Sequence, residues 1–373
     1  MTIPRPEILQ FGIGRFLLAH VDHFVSQSLE TSGGGKRIVA VQSSSRPEGR
    51  GKALHLAECP RYPLWVRGRR DGKLHDREEI VDSLATCLIA SKHWAELEQR
   101  FCEEITHVVS NTGDTGYYVA PGDSPLQSIP DSFPAKLVKL LHARFSADRS
   151  GVILMPCELI QGNGQRLKAI VTDIAWQSYD NAYFNDWLAT ECLWVDTLVD
   201  RIVSAALDPI GAIAEPYGLW AIQDTPGLHL PCRHPDVQRV DDLAPYEQRK
   251  LHMLNLSHTW LVHRWRELGL EDHIRFVREA MEETRLRKEL ESLLDEEVVP
   301  VLDQHLPGMG LEQYKATVLE RFTNPFLDHA LADIAQNHEE KLNRRLRPIS
   351  QMAISQGRAT PRLTNALKRH GLV

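Results

Sequence analysis

Ile8-Leu-Gln-Phe-Gly12-Ile-Gly14-Arg-Phe-Leu-Leu-Ala-His20 decides the fold class. A short apolar run enters a glycine turn, and the pattern then switches to a helical period, predicting an amphipathic helix to about Leu29. Ser32-Gly-Gly-Gly35 ends that helix, and Ile38-Val-Ala-Val41 is a second short apolar strand. Residues 8–42 therefore form a β-α-β unit of the size a nucleotide fold requires.

The same alternation continues outward. Ile105-Thr-His-Val-Val109 and Val152-Ile-Leu-Met155 read as strands, with helices predicted over Trp94 to Phe101 and Pro134 to Phe145. Strands alternating with helices imply a parallel sheet covered by helices. From Leu251 the character changes. Helical stretches are expected at Leu251–Glu267, His273–Leu294, Gly310–Glu320 and Asn324–Arg344, without extended apolar strands. The expected architecture is α/β, with a Rossmann-like dinucleotide-binding N-terminal domain over 1–243. A mainly α-helical substrate and catalytic domain follows over 244–373.

Composition narrows the function classes. The chain has 373 residues, 42% hydrophobic and 25% charged, with a net charge of −7. Both signs are mixed along it, which argues against nucleic acid or an anionic membrane as partner. A small anionic substrate held by one or two arginines stays compatible. The cysteines Cys59, Cys87, Cys102, Cys157, Cys192 and Cys232 form no CxxC pair. They read as free thiols of a reducing compartment. No stretch approaches the ~20 apolar residues of a membrane span, and no leader pattern opens the sequence. A soluble cytoplasmic protein, a monomer or small homo-oligomer with a small-molecule partner, is expected.

Gly12-Ile-Gly14-Arg-Phe-Leu17 resembles the dinucleotide fingerprint, with Leu17 in place of its third glycine. The first two glycines allow the tight turn and close approach of backbone to a pyrophosphate; the third serves helix–strand packing. The second strand ends in Gln42-Ser-Ser-Ser-Arg46. An acidic residue there would select NAD. Gln42 can bond a ribose without repelling a 2′-phosphate, and Arg46 could pair with one, so NADP also stays possible. Ser110-Asn111-Thr112-Gly-Asp-Thr-Gly116 suits contact with a nicotinamide ribose and suits an ordinary turn as well. Glu158 and Asn163 follow the next strand at a comparable level, and Trp194 to Ile202 reads as an amphipathic segment whose Asp200 and Arg201 can pair.

Lys250-Leu-His-Met-Leu-Asn255-Leu-Ser-His258 carries the chemistry. On an α-helix Lys250, Asn255, His258 and Glu247 fall within an arc of ~140° that Leu251 and Leu254 share. A polar set on an apolar face lines a cleft or is buried, although a surface helix of this composition would align residues too. An ammonium drawn out of water gives up its proton more easily, as a general base requires. The 17 histidines include the close pairs His20/His23 and His229/His234. No HExxH or Cys/His cluster stands at ligand spacing, so no metal is expected. No GxSxG or GxxxxGK[ST] motif points to a hydrolase or kinase.

Taken together these blocks resemble the mannitol dehydrogenase family, the long-chain polyol-specific dehydrogenases and reductases. Phe11-Gly12-Ile-Gly14-Arg15-Phe16 to His20 looks like its cofactor motif. Ser110-Asn111-Thr112, Pro156-Cys-Glu158 with Asn163-Gly164, Val199-Asp200-Arg201-Ile202 and Glu215-Pro-Tyr-Gly-Leu-Trp220 are similar to later blocks, in the family's order. Ala244-Pro-Tyr-Glu247 to His258 is the most specific, and Arg321-Phe-Thr-Asn324-Pro-Phe-Leu-Asp-His329 completes the set. The resemblance implies metal-independent, NAD(P)-linked interconversion of a secondary alcohol and a ketone, with NAD ahead. It implies Lys250 as general acid/base, Asn255 as donor to the reacting oxygen, His258 as orienting group and Glu247 as proton relay. Gly12, Gly14, Arg15, Phe16, Gln42, Asn111 and Thr112 would hold cofactor; Glu158, Asn163 and Arg321 would bind substrate.

Mannitol 2-dehydrogenases carry Asp-Asn where this sequence has Glu158-Leu159, and that asparagine helps form an oxyanion hole. Glu-Leu there, with Arg-Phe-Thr-Asn-Pro-Phe, looks more like the tagaturonate reductase (altronate oxidoreductase) branch, which reduces keto-uronates. The expected function is oxidation of a polyol or sugar acid, or reduction of its keto form. A polyol-phosphate dehydrogenase would need a basic cluster, for which Arg321, Arg344 and Arg345 are candidates; a solvated helix face is the preferred reading of the last two. A non-catalytic nucleotide sensor is the other alternative.

Overall fold

The computed structural model describes the chain except residues 1–5, 33–34, 45–46, 114 and 373. Arg46, the expected partner of a 2′-phosphate, lies outside the described residues. The chain divides into two compact units, the first comprising Met1–Trp65, Arg77–Ala214 and Gly218–Leu243.

The first unit is built on a six-stranded sheet. Its order is Leu84–Ile89, Arg37–Gln42, Pro6–Phe11, His107–Ser110, Ile153–Pro156, Leu193–Trp194, and neighbouring strands run parallel. Counted along the chain within this sheet the order is 3-2-1-4-5-6, the doubly wound arrangement. Ile8, Leu9, Phe11, Val39 and Val41 are all fully buried. Helices cover both faces of such a sheet, so its strands are continuous apolar runs, without alternation. The order reverses between Pro6–Phe11 and His107–Ser110, where Phe11 stands opposite Ser110. The turns leaving these strands, at Gly12 and Asn111, therefore lie side by side.

One expectation in this unit is corrected, and one open reading is resolved. The helix after the glycine turn is two helices, Arg15–Ala19 and Val21–Ser32. His20 leaves helical geometry between them (φ −122°, ψ −85°), and its ring nitrogen bonds Leu219 O at 3.0 Å. The stretch Trp194 to Ile202 holds the strand Thr197–Asp200, antiparallel to Leu219–Gln223. Period-2 burial in so short a segment is indistinguishable by pattern from an amphipathic helix edge.

The second unit comprises Val66–Asp76, Glu215–Tyr217 and Ala244–Val373. Its helices pack on an apolar core that includes Leu256, Leu290, Val318, Leu342 and Leu367. The predicted helix His273–Leu294 is broken at Glu283 (ψ 110°), whose carboxylate caps Arg285 N. A π-helical turn, Leu294–Val298, then leads into Val299–His305. Pro300 has no N–H for the bond back to residue 296, which explains the wider turn. Asn324–Arg344 is not one helix: it contains Leu331–Ile334 and His338–Arg345. Pro325 disfavours helix at Asn324, whose Oδ1 instead accepts from Phe326 N at 3.0 Å.

Three separate chain segments are joined in this unit by polar contacts. Arg321 forms a two-point ion pair with Glu215, at 3.0 and 2.8 Å. Arg70 donates to Pro216 O, Asn324 donates to Arg67 O, and Glu320 accepts from the N–H groups of Asp71 and Gly72. Gly68 has φ +143°, and a Cβ there would meet Asn324 Nδ2 at 2.6 Å.

The turn glycines differ in what they require. Gly12 has φ +116°, and an added Cβ would lie 2.8 Å from Asn111 O; a Cβ at Gly14 would meet nothing within 4 Å. Gly12→Ala should therefore cost about 1–3 kcal/mol in urea unfolding, while Gly14→Ala leaves stability unchanged. Equal stabilities would remove the backbone argument.

Candidate functional site

In the first unit the two turns at the sheet's switch point border a cavity of about 550 Å³. Gly12, Gly14, Gln42, Asn111 and Thr112 all line it, and so does Lys52, which no motif had singled out. Lys52 lies on Pro47–Glu58, beyond the end of the second strand. Its position is set by the turn of that helix, which the local sequence does not encode. Arg15 is exposed, and Phe16 stacks on His20 with ring centroids 4.8 Å apart; neither is among the described residues lining the cavity. Gln42 is buried, and its Nε2 donates to Ser44 O and Oγ at 3.0 and 2.9 Å. Leu17 takes the packing place of the missing third glycine: it is 1% exposed and its Cδ1 lies 3.4 Å from where a Cβ of Gly12 would stand.

Glu158 organises the floor of this region. It is 4% exposed. Oε1 accepts from Thr112 N and Oγ1, both at 2.9 Å, and Oε2 from Ser110 Oγ at 3.0 Å and Tyr117 OH at 3.3 Å. Burial and this carboxylate push the Tyr117 phenol well above its ordinary range. A buried carboxylate with four donors is stable where it is, and its oxygens face the protein. Asn163, 1% exposed, donates to Pro156 O, Glu158 O and Thr197 O and accepts from Thr197 N. Glu158 and Asn163, both expected at the substrate, hold the Ser110–Thr112 turn and the start of helix Asn163–Tyr179 through these bonds. Asn111, in that turn, donates to Cys157 O at 2.7 Å.

In the second unit Glu247, Lys250, Asn255 and His258 lie on one continuous helical rod, but it is not uniformly α. Ala244–Arg249 is α-helix, Lys250–Asn255 is π-helix, and Leu256–Glu267 is α-helix again. The arc expected from ideal α geometry is corrected accordingly. In an α-helix residues five apart stand roughly 140° out of register, given 3.6 residues per turn. The wider π-turn, with its i→i+5 bonds, brings Lys250 and Asn255 nearer to one face. Lys250 and Asn255 are half-buried and His258 is buried. The His258 ring stacks on Phe322 at 4.2 Å and meets His329 edge-on at 4.8 Å, so the 244–258 and 321–329 blocks come together. Burial lowers the His329 pKa.

Arg345 supports the π-turn. Its guanidinium donates to Asn255 O at 3.1 Å and Thr259 Oγ1 at 2.9 Å, while its own carbonyl bonds His252 Nδ1. Burial holds its pKa down at about 10. The solvated-face reading stands corrected for Arg345, whereas Arg344 is exposed. Arg321, expected at the substrate, is 2% exposed, paired with Glu215 and stacked 4.2 Å over Tyr217. Of the histidine pairs, His23 bonds Glu79, His234 bonds Gln27 and His229 O meets His107. No helix among the described residues is long and apolar enough to cross a membrane.

Comparison with known proteins accounts for both units. Residues 6–230 match the mannitol dehydrogenase Rossmann domain, and residues 242–367 the mannitol dehydrogenase C-terminal domain. An altronate oxidoreductase of Halalkalibacterium halodurans is 30% identical over 95% of this chain and 72% of its own length. The fold is similar to a substrate-free D-sorbitol dehydrogenase (TM-score 0.82, 22% identity, 95% of this chain and 77% of that one). It is also similar to mannitol 2-dehydrogenase of Pseudomonas fluorescens in ternary complex with NAD and D-mannitol (TM-score 0.73, 24% identity, 97% and 78%).

Arg345→Ala should cost about 1–3 kcal/mol of stability, the range for hydrogen bonds to charged groups, and Arg345→Lys should recover part of it. Denaturant unfolding of both variants measures this. A neutral Arg345→Ala would mean that the π-turn does not depend on this side chain.

Proposed function

From the premise that this chain belongs to the mannitol dehydrogenase family of oxidoreductases acting on CH–OH groups, we propose that it interconverts a hexuronate-type sugar acid and its keto form with NAD. The observation that carries this reading is the π-turn Lys250–Asn255, whose lysine and amide lie on the same rod as His258, the amide about one turn before it. The likeness to altronate oxidoreductases, over 95% of this chain and 72% of the Halalkalibacterium halodurans relative, supports a sugar-acid substrate. The cavity beside Gly12, Gly14, Asn111 and Thr112 fits a dinucleotide. No described atom lies within 4 Å of where a Cβ of Gly14 would stand, so the reason for glycine there is sought in a ligand that approaches the backbone closely.

Bound nicotinamide supplies or accepts the hydride. Lys250 removes the hydroxyl proton during oxidation and returns it during reduction. Asn255 donates to the oxygen as negative charge builds there. His258, braced between Phe322 and His329, orients substrate, and Glu247 passes the lysine's proton to solvent. No metal takes part in these steps. Gln42 carries no charge to repel a 2′-phosphate and Lys52 is at hand in the cavity, so NADP is accepted too, while NAD is kept ahead on the family resemblance. A polyol-phosphate substrate loses support because Arg321 and Arg345 are engaged within the protein.

Purified protein should oxidise NADH, and NADPH more slowly, with tagaturonate or fructuronate, and do little with fructose or fructose 6-phosphate. Lys250→Ala should lower kcat by about 10²–10⁴, the usual contribution of a positioned acid/base. Turnover that survives the substitution would overturn the lysine assignment, and preference for fructose 6-phosphate would overturn the substrate class.

A further inference from the structure

We infer that His263, His338 and His370 form a binding site for one divalent transition-metal ion of the zinc type. The ion would clamp the last helix of the chain to the helix that carries His258. The three residues are separated by 75 and 32 positions in sequence, which is why no spacing motif revealed them. His263 lies on Leu256–Glu267, His338 opens His338–Arg345, and His370 closes Pro361–Arg369. One ring nitrogen from each lies within 4.8 Å of the others. Tetrahedral zinc with nitrogens at 2.0–2.1 Å needs them about 3.4 Å apart. Shifts of up to about 1.4 Å close that difference, and His370, half-buried at a helix end, can contribute by ring rotation.

A second observation points to a ligand. His338 is 6% exposed, and neither of its ring nitrogens has a hydrogen-bond partner. A buried imidazole left with both nitrogens unsatisfied is costly unless something binds it. Its ring borders a cavity of about 220 Å³ together with His263, Arg266, Glu267, Arg369 and His370. Imidazole nitrogens suit zinc, copper, nickel or iron and do not suit magnesium or calcium. Glu267, 3.7 Å from His263 Nε2, also pairs with Arg264 and Arg369. Of the two arginines that line the cavity, Arg266 and Arg369, it therefore offsets the latter.

The site is separate from the proposed acid/base set, so its role is structural and the dehydrogenase chemistry does not run through it. The test uses the untagged full chain, since a histidine tag would mask the result. After chelation and desalting, Zn²⁺ alone is titrated while thermal unfolding and bound metal are followed, and Co²⁺ is used to read the coordination spectroscopically. One equivalent of zinc, a raised melting temperature and the visible bands of tetrahedral Co²⁺ are expected. Turnover with NADH should persist in the chelated protein. His370→Ala, at a half-buried helix end, should fold and lose the equivalent. No bound metal and no thermal shift would overturn the proposal. Unaltered zinc binding by His370→Ala would do so too, as would stabilisation by inorganic phosphate without zinc, which would assign the cavity to an anion held by Arg266 and Arg369.

Discussion

The buried ion pair between Arg321 and Glu215 is the constraint on which the helical unit depends. Both side chains are at most 2% exposed, and a charge so placed without its partner costs several kcal/mol. The pair therefore ties Glu215–Tyr217 to helix Leu311–Phe322 with little tolerance for slippage. Around it Arg70, Asn324 and Glu320 fix the hairpin tip Val66–Asp76 by backbone contacts. The unit is one body assembled from three pieces of chain, and its polar seams do the assembling. The Glu-Pro-Tyr-Gly-Leu-Trp and Arg-Phe-Thr-Asn-Pro-Phe blocks, over a hundred residues apart, supply the two ends of this pair.

A second constraint acts along a single rod. A π-turn leaves backbone carbonyls without their usual α-helical partners, and an unsatisfied buried carbonyl is unfavourable. Arg345 and Thr259 meet this need at Asn255. The turn at 294–298 has a local cause in Pro300. The turn at 250–255 contains neither proline nor glycine, and its support comes from another helix. The first is strain imposed by the chain; the second is geometry held from outside at the residues proposed to carry the chemistry.

The same logic applies to Glu158, a polar residue beside apolar ones that was assigned to the site from its place in the sequence. Glu158 receives four donors from its own unit, so its charge shapes a turn. Gly12 and Gly14 likewise divide: a Cβ at Gly12 would press on the backbone of Asn111, whereas one at Gly14 would meet no described atom within 4 Å.

What the sequence determined by itself was local. The strand–turn–helix of residues 6–32, the parallel α/β sheet, the helical second half and the order of the family blocks were all legible, because periodicity and turn chemistry act over a few residues. Helix breaks at His20, Glu283 and residues 335–337 were less so, since tertiary contacts outweigh propensity there. Only the tertiary structure decided the partners: Arg321 with Glu215, Glu158 with the Ser110–Thr112 turn, Arg345 with the π-turn, and the His263, His338 and His370 cluster. Each joins residues far apart along the chain, and whether a charge or an imagined ligand is satisfied depends on which distant atoms the fold delivers to it.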